Sequence, residues 1–191
     1  MIIEKLKHFK KNQDLVEIGR RHLSETPIVG QIRALSDSLV QVTEYDGTGR
    51  YNGISVFYTD DITDLLWETR DTRSVLKLAR LRTPFEVPEL RLGSLKLLIE
   101  DLQQRFGTVA MLNEMAGLTA MCGDILNVDN EWVHILEYAP RSDDGRFQSL
   151  TRLDLITRLC ADTPAIQDIT SVHRLHHKDG SSAITADPEE S

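Results

Sequence analysis

Ile28-Val29-Gly30-Gln31-Ile32, running on through Ser38-Leu39-Val40-Gln41-Val42-Thr43-Glu44-Tyr45, decides the fold, because the chain writes this stretch twice. The second version is Met121-Cys122-Gly123-Asp124-Ile125, followed by Glu131-Trp132-Val133-His134-Ile135-Leu136-Glu137-Tyr138. Gly30 and Gly123, like Tyr45 and Tyr138, stand 93 residues apart. After the next loop the offset becomes 94: Ser55-Val56 meets Ser149-Leu150, Asp60 to Leu65 meets Asp154 to Leu159, and Thr69 meets Thr163. Gly30, Ile32, Val40, Glu44, Tyr45, Ser55, Asp60, Ile62, Thr63, Leu65 and Thr69 recur unchanged. Self-similarity at a fixed spacing marks two copies of one structural unit.

The unit reads as a helix, five short strands and a second helix. Residues 2–11 place Ile3, Leu6 and Phe9 on one helical face, and residues 93–105 do the same with Leu95, Leu98, Ile99 and Leu102. Leu15-Val16-Glu17-Ile18, with its copy Thr108-Val109-Ala110-Met111, reads as a strand. Val40, Val42 and Glu44 alternate with Gln41, Thr43 and Tyr45 at period two. Asp46-Gly47-Thr48-Gly49 has hairpin chemistry, and Pro140 to Gly145 is its polar counterpart. Tyr51–Phe57 and Ile62–Trp67 complete the strands. Short helices follow Thr69 and Thr163; in the second, Ile166, Ile169, Val172 and Leu175 share a face behind Thr163-Pro164, which suits an N-cap and first turn. Five short, bent strands are expected to close into a small barrel, which removes exposed edges. The expected organisation is a first helix-plus-barrel unit over 1–82, a linker over 83–92 carrying Pro84 and Pro88, a second unit over 93–177, and a disordered tail over 178–191.

The run from Gly30 to Leu65 has a Gly-x-Ile strand, a loop with Asp37, an apolar strand, a Gly-bearing turn and a strand ending near Asp61-Ile62. This order resembles the Sm-like and SH3-like small barrels, and in particular a group of bacterial proteins with an Sm-like barrel followed by a short helix. The resemblance covers roughly 14–79 and 107–175. It implies a mainly β fold with flanking α, two tandem five-stranded small barrels, and a tendency to assemble. The family's RNA pocket, an Asp-x-x-apolar-Asn loop and a later Arg-Gly loop, does not carry over. Here the first loop reads Ser36-Asp37-Ser38-Leu39-Val40 and Asp129-Asn130-Glu131-Trp132-Val133, and the later one Tyr58-Thr59-Asp60-Asp61 and Arg152-Leu153-Asp154-Leu155.

Charge is unevenly spread. The 191 residues are 40% hydrophobic with a net charge of −8, which opposes phosphate binding in bulk. Residues 1–24 carry six basic against three acidic groups, whereas 106–163 carry four against nine. A basic first helix can meet nucleic acid through Lys5, Lys10, Lys11, Arg20 and Arg21, or it can meet the acidic second unit of another copy, an attraction that salt weakens. Protein partners or self-association are favoured over nucleic acid.

The chemistry-bearing residues point away from catalysis. There is no Gly-rich phosphate loop, Gly-x-Ser-x-Gly, Cys-x-x-Cys or His-Glu-x-x-His, so no catalytic residues and no cofactor are nominated. His173 and His177 have the i, i+4 spacing of a weak metal pair without a third ligand. Cys122 and Cys160 align with Val29 and Leu66 of the other repeat, which marks them as core fillers and suits a reducing cytoplasm. Glu44-Tyr45 and Glu137-Tyr138 are the repeated polar pair expected at a barrel rim. No apolar run is long enough for a membrane span, and Met1-Ile2-Ile3-Glu4-Lys5 lacks the apolar core of a secretion signal. The expectation is a non-catalytic cytoplasmic binding or assembly protein, with an RNA- or DNA-binding regulator as the alternative.

Overall fold

The structure, a computed structural model, describes residues 1–82, 86–117, 119–138 and 146–180. The first repeat contains α1 (Ile2–Asn12), β1 (Leu15–Arg20), β2 (Ser24–Leu35), β3 (Leu39–Tyr45), β4 (Tyr51–Tyr58), β5 (Asp64–Trp67) and α2 (Arg70–Arg80). The second contains α3 (Leu95–Phe106), β6 (Val109–Asn113), β7 (Thr119–Val128), β8 (Trp132–Tyr138), β9 (Arg146–Arg152), β10 (Arg158–Ala161) and α4 (Pro164–Gly180). Each repeat is thus mainly β, with a helix before and after its strands.

Local chemistry is repeated with the sequence. Thr69, Ser94 and Thr163 accept a hydrogen bond from the backbone N–H three residues on, at 3.1, 3.3 and 3.2 Å, and so start α2, α3 and α4. Asp46 takes the N–H groups of Thr48 and Arg50 at 2.8 and 2.9 Å, closing the β3–β4 turn. A bulge lies between Ile32 and Ala34 against β3 and another between Ile125 and Asn127 against β8, at equivalent positions, so both long strands bend at the same place. Glu68 and Asp162, each between a last strand and a capping Thr, are both left-handed, with φ of 55° and 57°.

Gly30 and Gly123 recur for a steric reason. Gly30 pairs with Glu44 and Gly123 with Glu137. A Cβ on Gly30 would fall on the carbonyl oxygen of Thr43, and one on Gly123 on that of Leu136, the equivalent residue. Either glycine changed to alanine is expected to lower stability by ~1–3 kcal/mol through this overpacking. Chemical denaturation checks it, and an unchanged midpoint for both variants contradicts it.

The cores also correspond side chain by side chain. In the first, Leu6 and Phe9 of α1 pack on Val16, Ile18, Ile28, Val40 and Val42. In the second, Ile99 and Leu102 of α3 pack on Val109, Met111, Met121, Val133 and Ile135. The second core draws further side chains from the first repeat, namely Leu39, Ile54 and Val56. A third cluster, under α4, holds Ala110, Leu112, Cys122, Cys160 and Ile166.

Pairing corrects the expectation of two closed barrels. The ten strands among the described residues form one antiparallel sheet in the order β5-β1-β2-β3-β4-β10-β6-β7-β8-β9. Within each repeat the order is fifth-first-second-third-fourth, but the fourth strand does not return to its own fifth. Instead β4 pairs with β10 of the other repeat. Strand count and alternation leave the choice of edge partner open, and here the edge is covered by the neighbouring repeat.

The linker is more ordered than its prolines suggest. Residues 83–85 lie outside the described residues, but Val87 and Leu90 are buried. The fully buried Gln41 of β3 donates to the Pro88 carbonyl at 2.9 Å and accepts from the Leu90 N–H at 2.9 Å, strapping the segment across the first repeat. At the other end α4 extends to Gly180, into the segment expected as tail; residues 181–191 lie outside the described residues. Its expected apolar face is only partly used, since Ile166 is buried, Ile169 half-buried and Val172 exposed. No described helix is long and apolar enough to cross a membrane.

Candidate assembly interface

The seam between the repeats has four rungs. Phe57, Val56, Ser55 and Ile54 of β4 stand opposite Arg158, Leu159, Cys160 and Ala161 of β10. The Ser55 hydroxyl contacts the Cys160 sulfur at 3.4 Å, and the Tyr51 phenol donates to the Asp162 carboxylate at 3.0 Å. Burial, and then the Asp162 charge, push the Tyr51 phenol well above its usual range. Gly53 lets Ala161 and Thr163 approach, since a Cβ there would meet Thr163 Cγ2 at 2.6 Å. Over the seam, Leu95 joins Val56 and Leu159 as neighbours.

One end of the seam holds a buried ion cluster. Arg20, at the end of β1 and 2% exposed, donates from Nη2 to Glu114 Oε2 at 2.7 Å and to the Thr157 carbonyl at 3.1 Å. Arg158 approaches the other Glu114 oxygen at 3.2 Å, and Asp61 lies 3.7 Å from Arg20. Thr157 donates its hydroxyl to Glu114 at 2.9 Å and accepts from the Glu114 N–H at 3.1 Å. The Arg20 guanidinium also lies 4.7 Å from the Phe57 ring centre. A first-repeat cation is thereby locked onto a second-repeat anion.

The first repeat carries the same pair with its charges exchanged. By the duplication Arg21 matches Glu114, Thr63 matches Thr157 and Asp64 matches Arg158. The Arg21 N–H donates to Thr63 Oγ1 at 3.2 Å, and Arg21 Nε to Asp64 Oδ2 at 3.0 Å. The Thr63 hydroxyl, followed by the Arg21 guanidinium, holds the Asp64 carboxyl below its ordinary range. This pair is solvent-exposed, with Arg21 at 74%.

Among the described residues, two edges of the sheet have no partner strand, β5 at one end and β9 at the other. Both carry exposed apolar side chains: Leu66 and Trp67 on β5, Phe147 and Leu150 on β9, the last at 64%. Unpaired backbone groups beside exposed apolar residues form a template for another strand.

The other nominated residues fall elsewhere. Arg20 leaves the nucleic-acid set, because it is buried on Glu114 and cannot reach a phosphate. Arg21 is engaged by Asp64, Lys10 lies 3.1 Å from Glu89, and Lys5 sits 5.3 Å over the Trp67 ring; Lys11 is exposed on α1. Glu44 accepts from Ser55, and Glu137 from Ser149, so each repeated glutamate has the repeated serine as its partner. Tyr45 donates to Gln31 at 3.1 Å, whereas Tyr138 stacks on His173 at 3.7 Å. The His177 side chain lies outside the described residues. Among the described residues no group of three or more His, Cys, Asp or Glu is poised to hold a metal. Burial pushes the thiols of Cys122 and Cys160 up to about 11, which leaves them protonated and unreactive.

Sequence reading missed the seam and its ion cluster. The one signal available was the sign exchange at aligned positions, Arg21 with Glu114 and Asp64 with Arg158. No family model, curated protein or solved structure matches this chain.

Proposed function

We propose that this chain is a non-catalytic binding and assembly protein, a tandem pair of Sm-like units that takes protein partners along the open edges of its sheet. The observation that carries this reading is the pairing of exposed apolar side chains with unpaired strands at β5 and β9. The repeat order fifth-first-second-third-fourth supports the Sm-like description, with the barrel left open for a neighbour's strand. The cytoplasmic placement rests on the two buried, protonated cysteines. Nucleic-acid binding through α1 is the second reading, supported by Lys5, Lys7, Lys10 and Lys11 on one helix, and opposed by their neighbours Glu4 and Glu89.

Retention of polypeptides from cell extract, with and without nuclease, separates the two. The full chain is expected to hold its partners after nuclease, and Leu66→Asp combined with Leu150→Asp is expected to release them. Partners lost on nuclease treatment, and lost again with Lys10→Glu and Lys11→Glu, would transfer the function to α1 and nucleic acid, where binding falls steeply with salt.

A further inference from the structure

We propose that the outer face of β8 and β9 is a docking surface for a basic, extended segment of a partner protein, laid across the second repeat as residues 86–92 lie across the first. The proposal goes beyond the edge-binding reading, because it uses the face of these strands and not the open side of β9. The face occurs twice in the chain and is covered once.

In the first repeat the face is made of Ala34, Leu39, Gln41, Thr43, Ile54 and Val56, all buried. Val87 and Leu90 join Leu39, Ile54 and Val56 in one cluster, and Gln41 holds the Pro88 carbonyl and the Leu90 N–H. By the offsets of 93 and 94 residues the second repeat places Asn127, Trp132, His134, Leu136, Gln148 and Leu150 at these positions. The rows correspond, since His134 stands between Asn127 and Leu150 as Gln41 stands between Ala34 and Val56. Among the described residues no segment covers this second face: Trp132 is 41% and Leu150 64% exposed. Yet Trp132 and Leu150 are larger apolar side chains than the covered Leu39 and Val56, and Leu136 is apolar where Thr43 is not. Exposed apolar side chains grouped on one face mark an interaction surface. His134 and Gln148, joined at 3.0 Å, put an imidazole and an amide where Gln41 offers its amide to a passing backbone.

Charge sets the sign of the occupant. Residues 86–92 bring Glu86 and Glu89 to the first repeat, whose opening segment is basic, and Glu89 lies 3.1 Å from Lys10. The second repeat is acidic instead, with Asp124, Asp129 and Glu131 where the first has Gln31, Ser36 and Ser38. A segment lying here therefore carries Lys or Arg where residues 86–92 carry Glu. The chain's own last residues, with Asp187, Glu189 and Glu190, have the wrong sign. The occupant is a basic stretch of another protein with two apolar side chains three residues apart, as Val87 and Leu90 are, to cover Trp132 and Leu150.

Trp132 lies in the face and reports on it once Trp67→Phe has removed the only other tryptophan. The probe is a synthetic peptide with the sequence of residues 84–92 carrying Glu86→Lys and Glu89→Lys. Added to the full chain, it is expected to move Trp132 emission to shorter wavelength, to saturate, and to bind more weakly as salt rises. The same peptide with both glutamates retained is expected to bind about tenfold more weakly or less. Leu150→Lys is expected to abolish the shift without moving the denaturation midpoint, because that side chain is exposed. Hydrogen exchange of the outward-facing amides of Arg146–Arg152 is expected to stay unchanged on binding. No shift with the basic peptide, an equal shift with both peptides, or a shift that survives Leu150→Lys would overturn the proposal; partners still retained from extract in an edge-dependent way would leave the edge-binding reading standing. Protection of the outward-facing β9 amides by the peptide would make it an added strand, overturning docking on the face and upholding the edge-binding reading.

Discussion

Glu114→Ala is expected to cost about 3–5 kcal/mol of stability, because it removes the hydrogen-bonded anion of the 2%-exposed Arg20 and leaves only the more distant Asp61 at 3.7 Å. Arg20 Nε and Nη1 already lack hydrogen-bond partners, as does Arg158 Nε, so the Glu114 carboxylate is what compensates two guanidinium groups. Removing it leaves two guanidinium groups where the repeats meet, with only Asp61 near Arg20. Glu114→Gln keeps the shape and the Thr157 hydrogen bond but loses the charge, and is expected to fall between the parent and Glu114→Ala. The matched substitution in the first repeat, Arg21→Ala, breaks the sign-exchanged pair in solvent and is expected to cost about 1 kcal/mol or less. Urea denaturation of the three variants checks the contrast. Equal losses for Glu114→Ala and Arg21→Ala contradict the assignment of Glu114 as the charge that locks the seam.

Leu102→Ala is expected to cost about 2–5 kcal/mol and to weaken both repeats together. Leu102 is fully buried in a cluster that joins α3 to its own repeat and to Leu39, Ile54 and Val56 of the other. A cavity there loosens the second core and the cover of the seam at once. Each repeat contains one of the two tryptophans, Trp67 and Trp132. With either replaced by phenylalanine, the other reports its own repeat's unfolding. Coincident transitions in both reporters, shifted together by Leu102→Ala, are the expected result. Separate transitions, with only Trp132 responding, contradict a shared core.

The repeat made much of the unit legible in the sequence. Gly30 and Gly123 were conspicuous, and their reason is the close approach of Thr43 and Leu136. Glu44 and Glu137 were legible as a repeated pair, but their partners Ser55 and Ser149 became partners only across the third and fourth strands. Edge pairing was not legible, because β4 presents the same alternation whether it closes on its own fifth strand or on a neighbour's. Arg20 read as surface because charge in a sequence says nothing of burial, and its aligned residue Asn113 carries no matching sign. Residues 83–92 read as a linker from Pro84 and Pro88, and nothing local shows that Gln41, in a strand far from it in sequence, bonds its Pro88 and Leu90 backbone.

Hydrogen exchange of the full chain tests most directly that one sheet runs through both repeats and leaves its two end strands open on their outer sides. Amides of β4 and β10 that bridge the seam are expected to be protected, since the two strands pair with one another. The outward-facing amides of Asp64–Trp67 and Arg146–Arg152 are expected to exchange rapidly, while those that face β1 and β8 are held. Rapid exchange across the β4·β10 seam, or outward-facing edge amides as protected as those of the seam, would contradict the account.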